Sequence, residues 1–573
     1  MRRHRRLLDA DQSDASRLPL MSVAESQSVI TSRQQNRNSL GAENRRNVAL
    51  TRLHDAAPVE RQLRTLSVDY SLTRRTLGLA IGSLLVAGCF SLLLVIGRMP
   101  VFSEWVSDPQ FFKRCLVLHV DLALIVWFFA FAAALYSLLP GDQASHSTYR
   151  NGFVAACGGV LLMVAGTLIP RTAPVLANYV PVIDNSIYVA GVALFFGGLV
   201  FCFFNGRLLV QPRKTSRRET TSAWEPFRVT ADAALALKTT ALAYLVAVTT
   251  FLVSWLVTPH ELETKAYYEL VFWGGGHVLQ VANVAAMLAV WLLLLSSMLK
   301  ATVLSPGAAR VLFAVLLAPH MVAPLLTMNG TPAPLYRLGF TRLMQFGIAT
   351  VVIIVLVICL RQLSQAWKRG VIGRSDLGDA RFVGFAASAA LTITGFLMGS
   401  AIRNSNTMIP GHYHASIGAV TVAYMAVTYV LLKPLGFPLP GLRLPRLIPW
   451  QLYLFGAGQV IFAIGFLFGG FHGLSRKAYG AEQHIRSLGE LIGIGVMGAG
   501  GLIAVAGGLL FLLLMMFAGR SRVYETFFKL RTCLNHRGSR RQETPVKSEF
   551  RIPNSEMEAS LLIPAAAQKR TPV

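Results

Sequence analysis

Five histidines in long apolar stretches of the sequence are the residues best suited to chemistry. An ionisable ring is costly in hydrocarbon, so a histidine inside a membrane-spanning segment is a candidate functional residue. Histidine is also a standard axial ligand of haem iron and a frequent ligand of copper and iron. A single such histidine is more often a packing residue, whereas five on four segments favour metal or haem ligation. They are His119, His277, His320, His412 and His414.

The spacing of His412 and His414 adds a geometric prediction. Residues two apart on a helix point about 200° away from each other, so the two rings face opposite sides. One helix can then serve two different centres, one on each flank. This is the arrangement needed if two haems lie on either side of a shared helix.

The elements that must position these histidines are apolar segments long enough to cross a membrane. The chain has 573 residues, of which 53% are hydrophobic and 14% are charged, against about 25% charged in an ordinary globular protein. Length and Gly and Ala content favour helices over barrel strands. We predict an all-α polytopic membrane protein with about twelve spans, near residues 76–97, 115–139, 152–170, 186–205, 233–257, 268–297, 311–328, 343–360, 382–402, 412–432, 451–472 and 490–518.

The net charge of +26 follows membrane topology and does not indicate nucleic-acid binding. Lys and Arg concentrate in two terminal segments and in alternate loops, which predicts that both termini are cytoplasmic. Residues 1–75 and 519–573 are predicted to be basic, disordered cytoplasmic tails around a membrane domain of residues 76–518. In this topology the five histidines share one depth, in the outer part of the membrane.

Five short motifs, in order along the predicted spans, resemble subunit I of the haem-copper oxidases, a family that includes cytochrome c oxidases and nitric oxide reductases. The resemblance covers the whole twelve-span block. Its motifs are Leu118-His119-Val120-Asp121 on span two, Trp273-Gly274-Gly275-Gly276-His277 on span six, Ala318-Pro319-His320-Met321 on span seven, His412-Tyr413-His414 on span ten, and Gly473-Leu474-Ser475-Arg476-Lys477-Ala478-Tyr479 after span eleven.

The resemblance implies two haems and a second metal, either copper or non-haem iron. It implies that His119 and His414 clamp a low-spin haem and that His412 holds a high-spin haem. Facing that haem, His277 and His320 would bind the second metal, so His412 and His277 are the predicted catalytic residues. Paired cations hydrogen-bond carboxylates well, and the resemblance assigns Arg476 and Lys477 to the haem propionates.

A respiratory enzyme of this family would reduce dioxygen or nitric oxide in a bacterial inner membrane. The chain has no CxxCH motif for covalent haem and no copper-binding domain, so its electrons must come from a separate subunit. The expected donor is a cytochrome c or a copper-bearing subunit II. Membrane lipid is the other expected partner.

Two positions depart from the family pattern and keep other functions open. Pro319 stands where relatives carry a third histidine for the non-haem metal. Val281 stands where oxygen-reducing relatives carry a tyrosine, and span seven offers no substitute tyrosine. A non-catalytic membrane haem protein, serving as electron conduit, sensor or assembly factor, is therefore an alternative. A secondary transporter is a third possibility, although transporters keep polar residues at the midplane.

Overall fold

The computed structural model describes residues 66–96, 110–210, 229–403, 406–441, 443–476, 485 and 487–539. The predicted tails over residues 1–65 and 540–573, and Lys477, lie outside the described residues. The described chain forms an all-α bundle with one short hairpin. Its long helices are α1 (Tyr70–Ile96), α2 (Phe111–Tyr136), α3 (Gln143–Thr167), α4 (Ser186–Phe203), α5 (Ala231–Val257), α6 (Thr264–Leu299), α7 (Pro306–Met328), α8 (Pro334–Lys368), α9 (Ala380–Ala401), α10 (Met408–Leu432), α11 (Leu447–Phe471) and α12 (Leu488–Ser539).

These helices confirm the predicted polytopic all-α fold. Within the described ranges, eleven helices, α2 to α12, are long and apolar enough to cross a membrane. Helix α1, which is not among these eleven, has 27 residues and coincides with the first predicted span. Helix α12 continues beyond residue 518 to Ser539, into the segment predicted as the C-terminal tail. The cytoplasmic placement of both termini stays a prediction.

The histidine-bearing helices α2, α6 and α10 form the centre of the bundle. Most of the apolar stretch of each is buried inside the protein, 72% for α2, 89% for α6 and 83% for α10, against 28% for α12. In the half of α2 beyond the histidine, Phe131 stacks on Tyr424 of α10 with ring centroids 4.2 Å apart. Trp127 packs edge-on against Tyr424 and against Phe511 of α12. Four of the five candidate histidines therefore lie on the most enclosed helices, whereas His320 lies on α7, where 33% of the apolar stretch is buried.

Glycines allow α3 and α4 to pack backbone against backbone. A Cβ at Gly159 would lie 2.4 Å from the backbone nitrogen of Phe195, and one at Gly152 would lie 2.4 Å from the carbonyl oxygen of Gly198. Small residues at such contacts are the usual means of helix association in membranes.

Two helices that carry candidate ligands depart from regular α geometry next to them. Residues Asp121–Val126 of α2 form a π-helical turn that begins two residues after His119. Residues Ala318–Val322 of α7, which include Pro319 and His320, form a 3₁₀ turn. Proline lacks a backbone N–H and disrupts the regular hydrogen-bond ladder, which accounts for the second irregularity.

A two-stranded hairpin joins α3 to α4 and covers the start of α6. Strand β1 (Ala173–Val175) pairs antiparallel with β2 (Val182–Asp184). The Glu269 carboxylate of α6 accepts hydrogen bonds from the backbone nitrogen of Asn178, at 2.9 Å, and from its side-chain amide. Tyr268 donates to Asp184 at 3.0 Å. These contacts fix the hairpin at the end of the bundle where α6 begins.

Candidate functional site

His412 is held against a small-residue face of α9. Its Nδ1 lies 2.7 Å from the carbonyl oxygen of Gly395. Because a carbonyl oxygen only accepts, Nδ1 carries the proton and Nε2 keeps its lone pair. A Cβ at Gly399 would lie 2.8 Å from Nδ1, so only glycine leaves room for the ring. The free Nε2 is the atom through which an oriented histidine binds a metal.

His414 lies on the other flank of α10, against α11. Its ring is nearly parallel to that of Phe466, with centroids 5.5 Å apart and planes at 10°. The Phe462 ring meets it edge-on at 4.9 Å. His412 therefore faces α9 and His414 faces α11, as the two-residue spacing predicts.

His119 on α2 is oriented by α1. Its Nδ1 donates to the carbonyl oxygen of Ala87 at 2.8 Å, which again leaves Nε2 as the free nitrogen. Two residues later, Asp121 is fully buried and accepts a 2.7 Å hydrogen bond from Tyr188 of α4 on Oδ2. Its Oδ1 is buried without a hydrogen-bond partner. Because buried polar atoms are almost always hydrogen-bonded, this oxygen can accept one further hydrogen bond.

His277 on α6 has both ring nitrogens engaged. Nδ1 donates to the carbonyl oxygen of Trp273 at 2.7 Å, so Nε2 is the acceptor. The Tyr179 hydroxyl, from the loop between β1 and β2, lies 3.0 Å from that Nε2. Burial raises the pKa of Tyr179, and the negative charge of Glu269 raises it further. Tyr179 therefore stays protonated and donates to His277.

His320 on α7 presents an unused nitrogen. Nδ1 donates to the carbonyl oxygen of Leu316 at 2.9 Å, while Nε2 is buried without a hydrogen-bond partner. The ring lies over Gly347 of α8, and His277 lies near Phe340 of the same helix, with ring centroids 6.0 Å apart.

These histidines fit the haem and metal groups that the sequence implies. His119, His277, His320 and His412 each spend Nδ1 on a backbone carbonyl and keep Nε2 as an acceptor. Backbone orientation of this kind is typical of metal-ligating histidines. Within the described residues, no group of three or more His, Cys, Asp or Glu side chains could hold a metal ion. His277 and His320 can offer at most two imidazole nitrogens to a second metal, because the side chain of Pro319 has no donor atom.

Arg476 is half-buried near the start of α10. The backbone nitrogen of Thr407 donates to the carbonyl oxygen of Leu474 at 3.1 Å, and Asn406 forms a bridge with Ser475. These contacts join the segment after α11 to the segment that leads into His412 and His414. The role predicted for Arg476 and Lys477 at the haem propionates stays a prediction.

Tyr179 is the residue that sequence reasoning missed. It lies 98 positions before His277 and outside every predicted span. The run Gly274-Gly275-Gly276 was the available signal. A Cβ at Gly276 would lie 2.4 Å from Cγ of Tyr179, and Cβ atoms at the other two glycines would meet Phe340 and Phe251. Three consecutive glycines here indicate three rings that approach α6 closely.

Comparison with known proteins gives one family and one fold. Residues 71–504 match the model of the family described as cytochrome C and quinol oxidase polypeptide I. An uncharacterized protein of Aquifex aeolicus is 28% identical over 65% of this chain and 87% of its own length. An uncharacterized protein of Rickettsia prowazekii is 23% identical over 78% of this chain and 95% of its own length. A cryo-EM structure of a heme-copper terminal oxidase dimer has the same fold, with a TM-score of 0.54 and 15% identity over 79% of this chain and 84% of that chain.

Proposed function

Because the chain belongs to the cytochrome c and quinol oxidase polypeptide I family, we propose that it is a haem-containing membrane oxidoreductase of a respiratory chain, the catalytic subunit I-like component. It takes electrons from an outer-side donor and delivers them, through a low-spin haem, to a high-spin haem and metal centre that reduces dioxygen or nitric oxide. The single observation that carries the proposal is the pair on α10. His412 and His414 face opposite neighbours, α9 and α11, as two separate haem sites require.

Each ligand has a stated role in this proposal. His119 and His414 hold the low-spin haem, and His412 holds the high-spin haem. When bound, the haems supply one-electron transfer and an open iron position for a diatomic gas. His277 and His320 would hold copper or non-haem iron through their Nε2 atoms. Arg476 and Lys477 neutralise the propionates at the outer surface.

The remaining side chains orient the ligands and exclude water. The carbonyl oxygens of Ala87 and Gly395 fix the ring planes of His119 and His412. The phenyl rings of Phe462 and Phe466 enclose His414 on its α11 side. In such a low-dielectric surrounding, the electrostatic effect of nearby polar groups is stronger than in water.

The proposed setting is a bacterial inner membrane, with both termini cytoplasmic and the site near the outer face. This orientation rests on the distribution of Lys and Arg in the loops. A separate cytochrome c or copper-bearing subunit II supplies the electrons, because the chain carries neither a CxxCH motif nor a copper-binding domain. Lipid surrounds the outer helices of the bundle.

A non-catalytic haem protein is the second candidate. One observation favours it. Among the described residues, no three His, Cys, Asp or Glu side chains are grouped so that they could hold a metal ion. Such a protein, an electron conduit, sensor or assembly factor, would fill the His119 and His414 site and leave the second metal site without a function.

The carbon monoxide difference spectrum of the reduced, detergent-purified protein separates these candidates. The enzyme should show a carbon monoxide shift on about half of its haem, since a bis-histidine iron has no open position. His412→Ala should abolish the shift and leave the low-spin bands intact, while His414→Ala should remove the low-spin bands. His472→Ala is the matched control, because His472 also donates Nδ1 to a backbone carbonyl but is exposed. Haem without any carbon monoxide response would support the non-catalytic candidate, and a protein without haem would refute both.

A further inference from the structure

The described part of the chain leaves one face of α12 uncovered from residue 488 to residue 520. The opposite face packs on α11 with a seven-residue repeat, because Cβ atoms at Gly493, Gly500 and Gly507 would each lie within 2.6 Å of the α11 backbone. A strict repeat of this length keeps each face of a helix in register along its length. The uncovered face has alternating spacings of four and three, and we call it the heptad stripe: Leu488, Ile492, Gly495, Ala499, Leu502, Ala506, Leu509, Leu513 and Met516.

The large residues of the heptad stripe are apolar and well exposed. Leu502 is 74% exposed, Leu509 is 57% exposed and Met516 is 52% exposed. In the hydrocarbon region lipid can cover such residues as well as protein can, so their exposure there does not by itself indicate a partner. What indicates a partner is the continuation of the same pattern outside the membrane.

Helix α12 is too long to end within the membrane. Its 52 residues span about 78 Å at about 1.5 Å per residue, whereas the hydrocarbon core of a bilayer is about 30 Å thick. Arg520 and Arg522 are the first basic residues of the helix, and they mark the end of its apolar part. From there the helix continues without a break to Ser539, which is about 30 Å further along its axis. We call residues 520–539 the α12 extension.

The heptad stripe continues into the α12 extension. Val523, Phe527, Leu530 and Leu534 keep the spacings of four and three and therefore fall on the same face of the helix. Arg520, the one charged residue in the pattern up to Leu534, lies at the membrane boundary, where a long basic side chain can reach lipid phosphates. Most other residues between 521 and 537 are polar. An apolar stripe with this spacing over about six heptads is the pattern of a coiled coil.

We propose that the heptad stripe is a homodimer interface, in which the α12 helices of two copies form a parallel coiled coil through the membrane and along the α12 extension. Two copies in one membrane have the same orientation, so the same residues face each other across a two-fold axis. The small residues Gly495, Ala499 and Ala506 allow the two helices to approach closely within the membrane.

The area of the stripe is sufficient for a stable dimer. With its continuation in the α12 extension, the stripe carries ten large apolar residues per copy. At about 60–120 Å² for each, two copies would bury roughly 1,200–2,400 Å², and stable interfaces bury about 1,200–2,000 Å². The dimer goes beyond the proposed function and does not depend on it, because none of the stripe residues is a candidate haem or metal ligand.

The test is disulfide cross-linking of the full chain in the membrane in which it is expressed. Leu530→Cys and Thr532→Cys are made in a Cys533→Ser background, which alone gives the background from the remaining cysteines. Positions 530 and 532 point about 200° away from each other on the helix. Oxidation should therefore link two copies in Leu530→Cys and leave Thr532→Cys at the background level.

A second pair of variants at the same positions tests the strength of the interface. Leu530→Glu should raise the dissociation constant of the dimer, measured by sedimentation in detergent, at least about 100-fold, because two like charges would then face each other. Thr532→Glu is the matched control, since it adds the same charge on the opposite side of the helix and should leave the dimer intact. Both variants should keep the wild-type haem content, which shows that the bundle is folded.

Several results would overturn the proposal. Equal cross-linking at positions 530 and 532, or none at either, would do so, as would equal dissociation constants for Leu530→Glu and Thr532→Glu. If anionic lipid vesicles protect Leu530→Cys from a water-soluble thiol reagent and no copies are linked, then the α12 extension binds the membrane surface instead. These readouts do not involve haem, so a failure here is distinguishable from a failure of the proposed function.

Discussion

An alanine at position 399 should displace His412 from its present orientation. The added Cβ would lie 2.8 Å from Nδ1 and 2.9 Å from Cε1 of the ring, where an ordinary contact begins at 3.4 Å. The ring must therefore move by roughly 0.6 Å if α9 does not. The Nδ1 to Gly395 hydrogen bond, now 2.7 Å long, would lengthen to about 3.3 Å.

The expected cost follows from the weakened hydrogen bond. A hydrogen bond of this type contributes about 0.5–1.5 kcal/mol, which corresponds to about a 2- to 12-fold change in an equilibrium constant. Loss of ligand orientation by an outer-shell partner generally costs about 10- to 100-fold in metal affinity. We therefore expect Gly399→Ala to hold the high-spin haem about tenfold more weakly and to leave the low-spin haem unchanged.

The assay is the ratio of carbon monoxide-reactive haem to bis-histidine haem in the purified protein, followed through a dilution series. Gly498→Ala is the control, because a Cβ at Gly498 of α12 would meet no atom within 4 Å. If Gly399→Ala and Gly498→Ala both keep the wild-type ratio at every dilution, then the contact with α9 does not position His412.

Three other predictions concern the stability of the bundle in detergent, measured by thermal unfolding. Gly159→Ala should destabilise the α3–α4 pair by about 1–3 kcal/mol, because the new Cβ would lie 2.4 Å from a backbone nitrogen of α4. Tyr188→Phe should cost about 1–3 kcal/mol, since it removes the sole hydrogen bond of the buried Asp121 carboxylate among the described residues. Asp142→Ala should cost about 1 kcal/mol, because Asp142 caps α3 by accepting from the Ser145 nitrogen. Hydrogen bonds from Ser145 hold the pKa of Asp142 below its usual value, so this difference should persist at neutral pH and disappear as the pH falls through that lowered pKa.

The fold could be predicted from the sequence because its signals are local. Each span is a continuous apolar run, and hydrogen bonding in lipid leaves a helix as the main way to satisfy its backbone. The opposite orientations of His412 and His414 follow from helix geometry alone, and the structure places the two rings on α9 and α11. The family resemblance, carried by short motifs in order, is confirmed by the match over residues 71–504.

The partners of the ligands could not be predicted, because they depend on distant segments. His277 meets a hydroxyl from a loop 98 positions away, and the left-handed backbone at Tyr179 has no signature in a run without glycine. The 3₁₀ turn around His320 could be predicted in part. Pro319 indicates that the regular helix is interrupted, but it does not indicate the direction in which the His320 ring points. Ligand roles for all five histidines stay predictions until haem and metal content are measured.

The π turn of α2 makes the length of one short segment more important than its composition. Each residue of a helix rotates the chain by about 100°, and a π turn accommodates one residue more than a regular turn. Everything from Trp127 onward is therefore turned by about 100° from the direction it would have in an uninterrupted α-helix. The first part of α2 presents a candidate ligand, and the part after the π turn presents an aromatic surface to Tyr424. The fold should therefore tolerate apolar substitutions at the apolar positions between residues 121 and 126. A one-residue deletion there would instead restore a continuous α-helix, rotate the part of α2 after the turn by about 100° and point Trp127 away from Tyr424.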